Sequence, residues 1–199
     1  GLLSLLVMTG IHIPVHQDSN LWFFNNIEVD IGDQQSIEDD LSTFSSHLSN
    51  INNILKCADS KTLVLMDELG TGTDPSEGAA LAAAFLLELR ECGSTVFATT
   101  HHGSLKLLAN DEQGFQNGSM IFDVENLKPT YKFRLGIPGS SYAFEVARRI
   151  GIVDSIIDIA KNNLDEDKNR IEEFLVELET KSNKIKDKLD EYERENSRL

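Results

Sequence analysis

The sequence predicts an α/β fold, with a parallel sheet carrying helices on both faces, an antiparallel hairpin after it, and a helical tail. Three observations predict it. Thr62 to Met66, TLVLM, is a short apolar run of the kind found in buried parallel strands. Asp74-Pro75-Ser76-Glu77 then opens an Ala-rich helix, with Asp at the N-cap, Pro at the first helical position and Glu at the third. Thr95 to Thr100, TVFATT, follows as a second buried strand.

The other elements fall into order around this strand–helix–strand core. Leu2 to Thr9 reads as a mostly apolar, buried helix that ends near Gly10 and Pro14. Leu21 to Ile31 is aromatic and β-branched and predicts one or two strands. Leu41 to Lys56 predicts a helix, with Phe44, Leu48, Ile51 and Leu55 on one face. The Ala-rich helix runs to about Glu91 and stops before Gly93. Ser104 to Ala109 is a short helix. Ser119 to Val124 and Thr130 to Leu135 are antiparallel strands about a turn at Asn126–Pro129. Ser140 to Ile150 and Val153 to Asn163 are two helices hinged at Gly151. From Asp165 to Leu199 there is no Gly or Pro and charge is dense. Ile171, Leu178, Ile185 and Tyr192 recur every seven residues, Leu175 and Leu189 fill the alternate seam positions, and Ser182 and Asn196 interrupt it. A coiled coil and a single solvated helix both fit that pattern. The expected division is 1–163 as one domain and 164–199 as a charged linker helix.

Composition narrows the function. The chain has 199 residues, 40% of them hydrophobic, which is enough for one sizeable core. A net charge of −15 argues against this segment gripping a nucleic-acid backbone by itself, because counterion release needs clustered Lys and Arg. Two cysteines, Cys57 and Cys92, make no disulfide framework, so an intracellular, cytoplasmic setting is expected. The Leu2 to Met8 run is far below the ~20 residues of a spanning helix and has no basic leader, so no membrane association is expected. Gly1 opens inside an apolar, helix-like run without an initiator Met, as a fragment or processed product would.

Three segments carry chemistry. In LVLMDELGTGTDPSEG, Leu63 to Gly78, an apolar strand presents Asp67 and Glu68 at its C-terminal end, where ligands bind in parallel sheets. One carboxylate there can hold Mg²⁺, an ion that prefers hard oxygen ligands and keeps several waters. The next points elsewhere and can polarise a water for attack on phosphorus. Ordinary surface acids are the plain alternative. The loop Gly70-Thr71-Gly72-Thr73-Asp74 lets backbone approach a ligand or a neighbouring chain, or simply makes turns. Ser42-Thr43-Phe44-Ser45 opens a helix, with Ser42 at the N-cap position, and free N–H groups there suit a phosphate as well as plain capping. Thr99-Thr100-His101-His102 ends the second strand, where a His can donate to a terminal phosphate oxygen or be an ordinary loop residue. A His/Asp/Glu zinc site is disfavoured because the spacing matches no zinc signature.

DIGDQQSIEDDLSTFSSHL, DELGTGTDPSEGAALA, TTHH and YKFRLGIPGSSYAFEVARRIG stand in that order. Together they resemble the ATP-binding-cassette type of P-loop NTPase. More narrowly, they resemble the ATPase domain of the DNA mismatch-repair MutS family, nearest its bacterial MutS-two (endonuclease MutS-two) subfamily. The resemblance covers about residues 1–163. It implies ATP and Mg²⁺ as cofactors. Asp67 resembles the Walker B aspartate that holds the metal, Glu68 the glutamate that activates water, and His101 the switch histidine near the γ-phosphate. Ser42 and Thr43 resemble the signature segment that contacts the partner subunit's nucleotide. Gly70 to Asp74 resembles the D-loop, which adds Asp74 to the nucleotide-binding set. The resemblance also implies a homodimer, head to tail, with Tyr142 to Ile159 clasping the neighbouring ATPase domain. A DNA-binding helix-turn-helix is the alternative there, and the acidic balance speaks against it.

The departure from the pattern is a missing loop. Neither GxxxxGKS nor GxxxxGKT occurs in the 199 residues, so the phosphate cradle and its lysine are absent. In the family that loop lies directly before a segment like GLLSLLVMTGIHIP. The expectation is therefore the C-terminal part of an ATPase domain, inactive alone and marginally stable without a central strand. The resemblance implies a parent protein acting on DNA in repair or recombination control, with an endonuclease activity carried by a small domain after the tail. A ribosome quality-control ATPase of the same subfamily, with the ribosome as target, and a non-catalytic dimerisation module are the alternatives. Other cassette ATPases carry an LSGG-type signature where this chain has LSTFS.

Overall fold

The computed structural model describes residues 1–31, 40–123, 128–139 and 142–163, with Lys181, Ile185, Lys188 and Leu189 of the tail. Of residues 40–43 only the backbone is described. The chain divides into two compact units, Gly1–Leu105 and Lys106–Leu199.

The first unit contains α1 (Leu2–Met8), β1 (Asn26–Asp30), α2 (Asp40–Cys57), β2 (Thr62–Met66), α3 (Pro75–Glu91) and β3 (Thr95–Ala98). The three strands form a parallel sheet in the order β1-β2-β3, so the TLVLM strand is central. Asp30 stands in register with Met66, and Met66 with Ala98, which aligns the C-terminal ends of all three strands. α2 and α3 touch each other, and they pack on β1 and β3 respectively. The core lies between them and the sheet, with Ile51 and Ile54 of α2, Val64 and Met66 of β2, and Ala82 and Leu89 of α3 all buried. Burying each larger side chain of this set contributes about 1.5–3 kcal/mol.

Local chemistry explains the element ends. The Asp74 carboxylate accepts from the backbone N–H groups of Ser76 (2.9 Å) and Glu77 (3.2 Å), and Pro75 occupies the first helical position. At the other end Gly93 takes φ +76°, the left-handed turn that stops a helix. Asp59 closes the α2–β2 connection by accepting from the Thr62 hydroxyl (2.7 Å) and the Lys61 amide (2.8 Å). Those bonds to its charged form lower the Asp59 pKa from its ordinary value.

Several expectations need correcting. α1 forms, but none of its residues is buried, and Leu2 is 72% exposed. The second predicted strand ends at Ala98, and its Phe97 is 62% exposed, so it is an edge strand rather than a buried one. The physical reason is position. Among the described residues this sheet has three strands, and of these only β2 has neighbours on both sides. The face carrying Val29, Leu65 and Phe97 has both outer residues exposed, and Gly1 at the start of α1 approaches Leu65 there. The aromatic segment from Leu21 yields one strand, β1, while Trp22 and Phe23 lie outside it and exposed. Ser42 lies within α2 and is helical, so it is not the N-cap.

The second unit begins within the helix α4 (Gly103–Asp111), which spans the division. It contains β4 (Gly118–Asp123) and β5 (Lys128–Leu135), paired antiparallel with a register shift between Met120 and Phe122. β5 opens two residues earlier than expected, so Pro129 lies in the strand, while Val124, Asn126 and the rest of 124–127 lie outside the described residues. α5 (Ala143–Arg149) and α6 (Asp154–Asn162) flank Gly151 at φ +98°. The Arg148 guanidinium donates to Asp154 at 2.8 Å, across the turn between the helices. On α6 only Ile157 is buried, and Ile156 and Ile159 are exposed. Most of the heptad positions in 164–199 lie outside the described residues. Of that seam, Ile185 and Leu189 are described, both helical and exposed.

Candidate nucleotide site at the strand ends

β2 ends at Met66, and the next two residues are the acids. The Asp67 amide donates to the Asp30 carbonyl at 2.9 Å, which prolongs the β1–β2 ladder by one step. Glu68 then takes φ +49°, a left-handed conformation rare for a residue with a side chain. Such a backbone costs about 1–3 kcal/mol and persists only where its surroundings enforce it.

The end of β3 supplies that enforcement. The Thr99 hydroxyl accepts from the Glu68 amide at 2.9 Å and donates to the Asp67 carboxylate. The Thr99 backbone accepts from the Leu69 amide at 2.9 Å and donates to the Met66 carbonyl at 3.0 Å. Thr100 donates its hydroxyl proton to the Leu69 carbonyl at 3.2 Å. His102 reaches the Gly70 carbonyl through Nε2 at 3.1 Å, where its N–H donates. Thus Thr99, Thr100 and His102 grip four consecutive residues, Asp67 to Gly70. The Thr-Thr-His-His run stands out in the sequence, but there it suggests a role only for His101. The signal was available in the two hydroxyls at a strand end beside an acid pair, but which atom each would meet was not.

His101 Nε2 lies 3.5 Å from Glu68 Oε1, with the two side chains 80% and 57% exposed. At that exposure the pair contributes little to stability. Both groups project into solvent, where a substrate could meet them. A depression opens at the same end of the sheet, lined in part by Asp30, Phe44, His47, Asp67, Glu68 and Gly70. The structure therefore brings together Asp67, Glu68 and His101. Asp74 sits after the Gly70–Thr73 loop, with its carboxylate engaged as the α3 cap. Ser42 and Thr43 belong to the first turn of α2, and their side chains lie outside the described residues.

Among the described residues no three His, Cys, Asp or Glu side chains gather as a metal cage. Magnesium does not require one, because it is held by one or two carboxylates, waters and substrate phosphates. A strand-end aspartate steadied by a threonine hydroxyl fits that donor chemistry.

The comparisons with known proteins decide the family. Residues 1–168 match MutS domain V. The chain belongs to the MutS family. Within it, the MutS2 branch is supported by 50% identity over 187 residues to the protein called endonuclease MutS2 from Clostridium botulinum (strain Okra / Type B1), covering 94% of this chain. Proteins of the same name from Brevibacillus brevis and Clostridium kluyveri are 49% and 48% identical, over 90% and 91% of this chain. The chain spans about a quarter of these relatives, 24% of the first and 23% of the other two. MutS domain V is a P-loop ATPase domain, and the parallel sheet with its strand-end acids is the part of it seen in the first unit.

Proposed function

We propose that this chain is the Walker B and switch portion of the ATP-hydrolysing domain of a MutS2-like protein. The observation that carries the reading is the gripped acid pair, Asp67 and Glu68, at the C-terminal end of the central strand with His101 alongside Glu68. Asp67 would hold Mg²⁺, which supplies charge neutralisation to the β- and γ-phosphates. The Glu68 carboxylate orients a water and accepts its proton as the water oxygen bonds to the γ-phosphorus. The bond from that phosphorus to the β–γ bridging oxygen breaks, and ADP carries the electron pair away. His101 donates a hydrogen bond to a γ-phosphate oxygen. The first turn of α2, with Ser42 and Thr43, and the Asp74 loop meet nucleotide across a head-to-tail homodimer. The exposed Ile156 and Ile159 on α6 give that dimer an apolar clasp. The whole protein acts on DNA in repair or recombination control in the cytoplasm. Among the described residues no helix is long and apolar enough to cross a membrane.

The test is a comparison of two proteins. The 199-residue chain alone is expected to turn over no ATP, because it contains no GxxxxGKS or GxxxxGKT loop. The full-length protein that contains this chain is expected to bind and hydrolyse ATP. A full-length protein that binds no ATP would leave the dimerisation module as the surviving reading.

Thr99 gives a sharper test within the full-length protein. Thr99→Val removes the hydroxyl that serves both acids and is expected to lower ATPase activity about 10–100-fold, the usual effect of losing a partner behind a metal ligand. Thr99→Ser keeps the hydroxyl and should retain most of the rate. Equal rates for the valine and serine variants would show that the hydroxyl does not matter.

A further inference from the structure

Asp30 ends β1 and is only 6% exposed, and the hydrolytic scheme above gives it no part. A buried carboxylate is costly unless it is paired and hydrogen-bonded. Among the described residues, the two side chains that satisfy it come from one helix. His47 Nδ1 lies 3.0 and 3.1 Å from the two carboxylate oxygens, and Asn50 Nδ2 donates to one of them at 2.9 Å. An ionised carboxylate only accepts, so the His47 Nδ1–H is the donor. Asn50 Nδ2 also donates to the Val29 carbonyl at 3.0 Å. The backbone carbonyl of the same Asp30 receives the Asp67 amide at 2.9 Å. One residue thus binds α2 through its side chain and the proposed Walker B aspartate through its backbone.

We infer that Asp30, His47 and Asn50 form a positioning lock that couples α2 to the Asp67–Glu68 edge. The inference rests on the proposed nucleotide reading of that edge. Thr43 lies four residues before His47, one turn along the same helix, so nucleotide met at the start of α2 acts on the helix that holds Asp30. Displacing α2 strips a buried charge of its donors. The lock therefore favours one seating of α2 against β1, and that seating fixes the strand end from which Asp67 hangs. None of the three residues touches the reacting atoms in this scheme. They set the geometry of those that do.

The test uses the full-length protein that contains this chain, with ATP turnover measured beside the affinity for a fluorescent, slowly hydrolysed ATP analogue. His47→Leu is expected to lower kcat about 10-fold while leaving analogue affinity within about twofold, within the range of coupling through such packed contacts. His47→Asn, whose Nδ2 places a donor near the position of the imidazole Nδ1, should recover most of the loss. Asn50→Leu removes one donor and leaves His47 in place, so it remains readable if His47→Leu does not fold, and it should lower kcat less, with the same unchanged affinity. Losses shared equally between kcat and affinity, or no recovery with His47→Asn, would mean a merely structural contact and overturn the lock. So would unchanged kcat in both leucine variants. Absence of turnover by the unsubstituted protein would overturn the nucleotide reading and the lock together.

Discussion

Glu68→Gln, in the full-length protein that contains this chain, is expected to abolish steady-state ATP hydrolysis while ATP stays bound. The glutamine is nearly isosteric and keeps a carbonyl oxygen that can accept from water. It has no carboxylate to take the proton, and removing a positioned general base costs about 10²–10⁴-fold. The backbone at Glu68 should survive the change, because the bond that holds it runs from its amide to Thr99. Binding and hydrolysis should therefore separate cleanly. The measurement is single-turnover hydrolysis with retained radiolabelled nucleotide. A Glu68→Gln protein that hydrolyses at the normal rate would move the base to another residue. His101 is exposed beside Glu68, 3.5 Å away, and is the next group to test.

The second large effect is steric. In α3, Gly78 faces Gly70 so closely that a methyl group at position 78 would sit 2.0 Å from the Gly70 carbonyl oxygen. That neighbour is backbone, which cannot swing aside as a long side chain could. Gly70 is itself constrained, with φ +89° and a would-be methyl 2.8 Å from the Gly78 carbonyl oxygen. The two glycines let the loop after Glu68 lie against the first turns of α3. Gly78→Ala is expected to destabilise the protein by about 1–3 kcal/mol, the usual cost of overpacking. It should also drive Gly70 away from His102, whose Nε2 lies 3.1 Å from the Gly70 carbonyl. Thermal unfolding reads the first effect, and loss of ATPase activity below the unfolding temperature reads the second. Alanine is ordinarily the better helix former by about 1 kcal/mol. A stabilised Gly78→Ala protein would show that the loop yields freely.

Elements whose cause is local were legible in the sequence. The TLVLM strand is found at the residues its apolar run marks, and α3 begins where Asp, Pro and Glu stand in capping order. The acid pair follows from the end of that strand. Burial was less legible. The runs LLSLLVM and TVFA are apolar enough to be interior, yet α1 has no buried residue and β3 stays largely open. An apolar segment states that it can be covered, and the number of neighbouring elements determines whether it is.

The order of the elements, the strand that ends in Asp67 and Glu68, and the capped helix after it all follow from the amino-acid pattern alone. Each rests on periodicity or capping among residues a few positions apart. That Thr99 serves both acids, that His102 meets Gly70, and that His47 and Asn50 satisfy Asp30 emerges from the folded packing and not from the sequence. Those bonds join residues 17 to 32 positions apart. Such partners meet only after strands align in register and helices seat on the sheet, and no local pattern records which donor will face which acceptor.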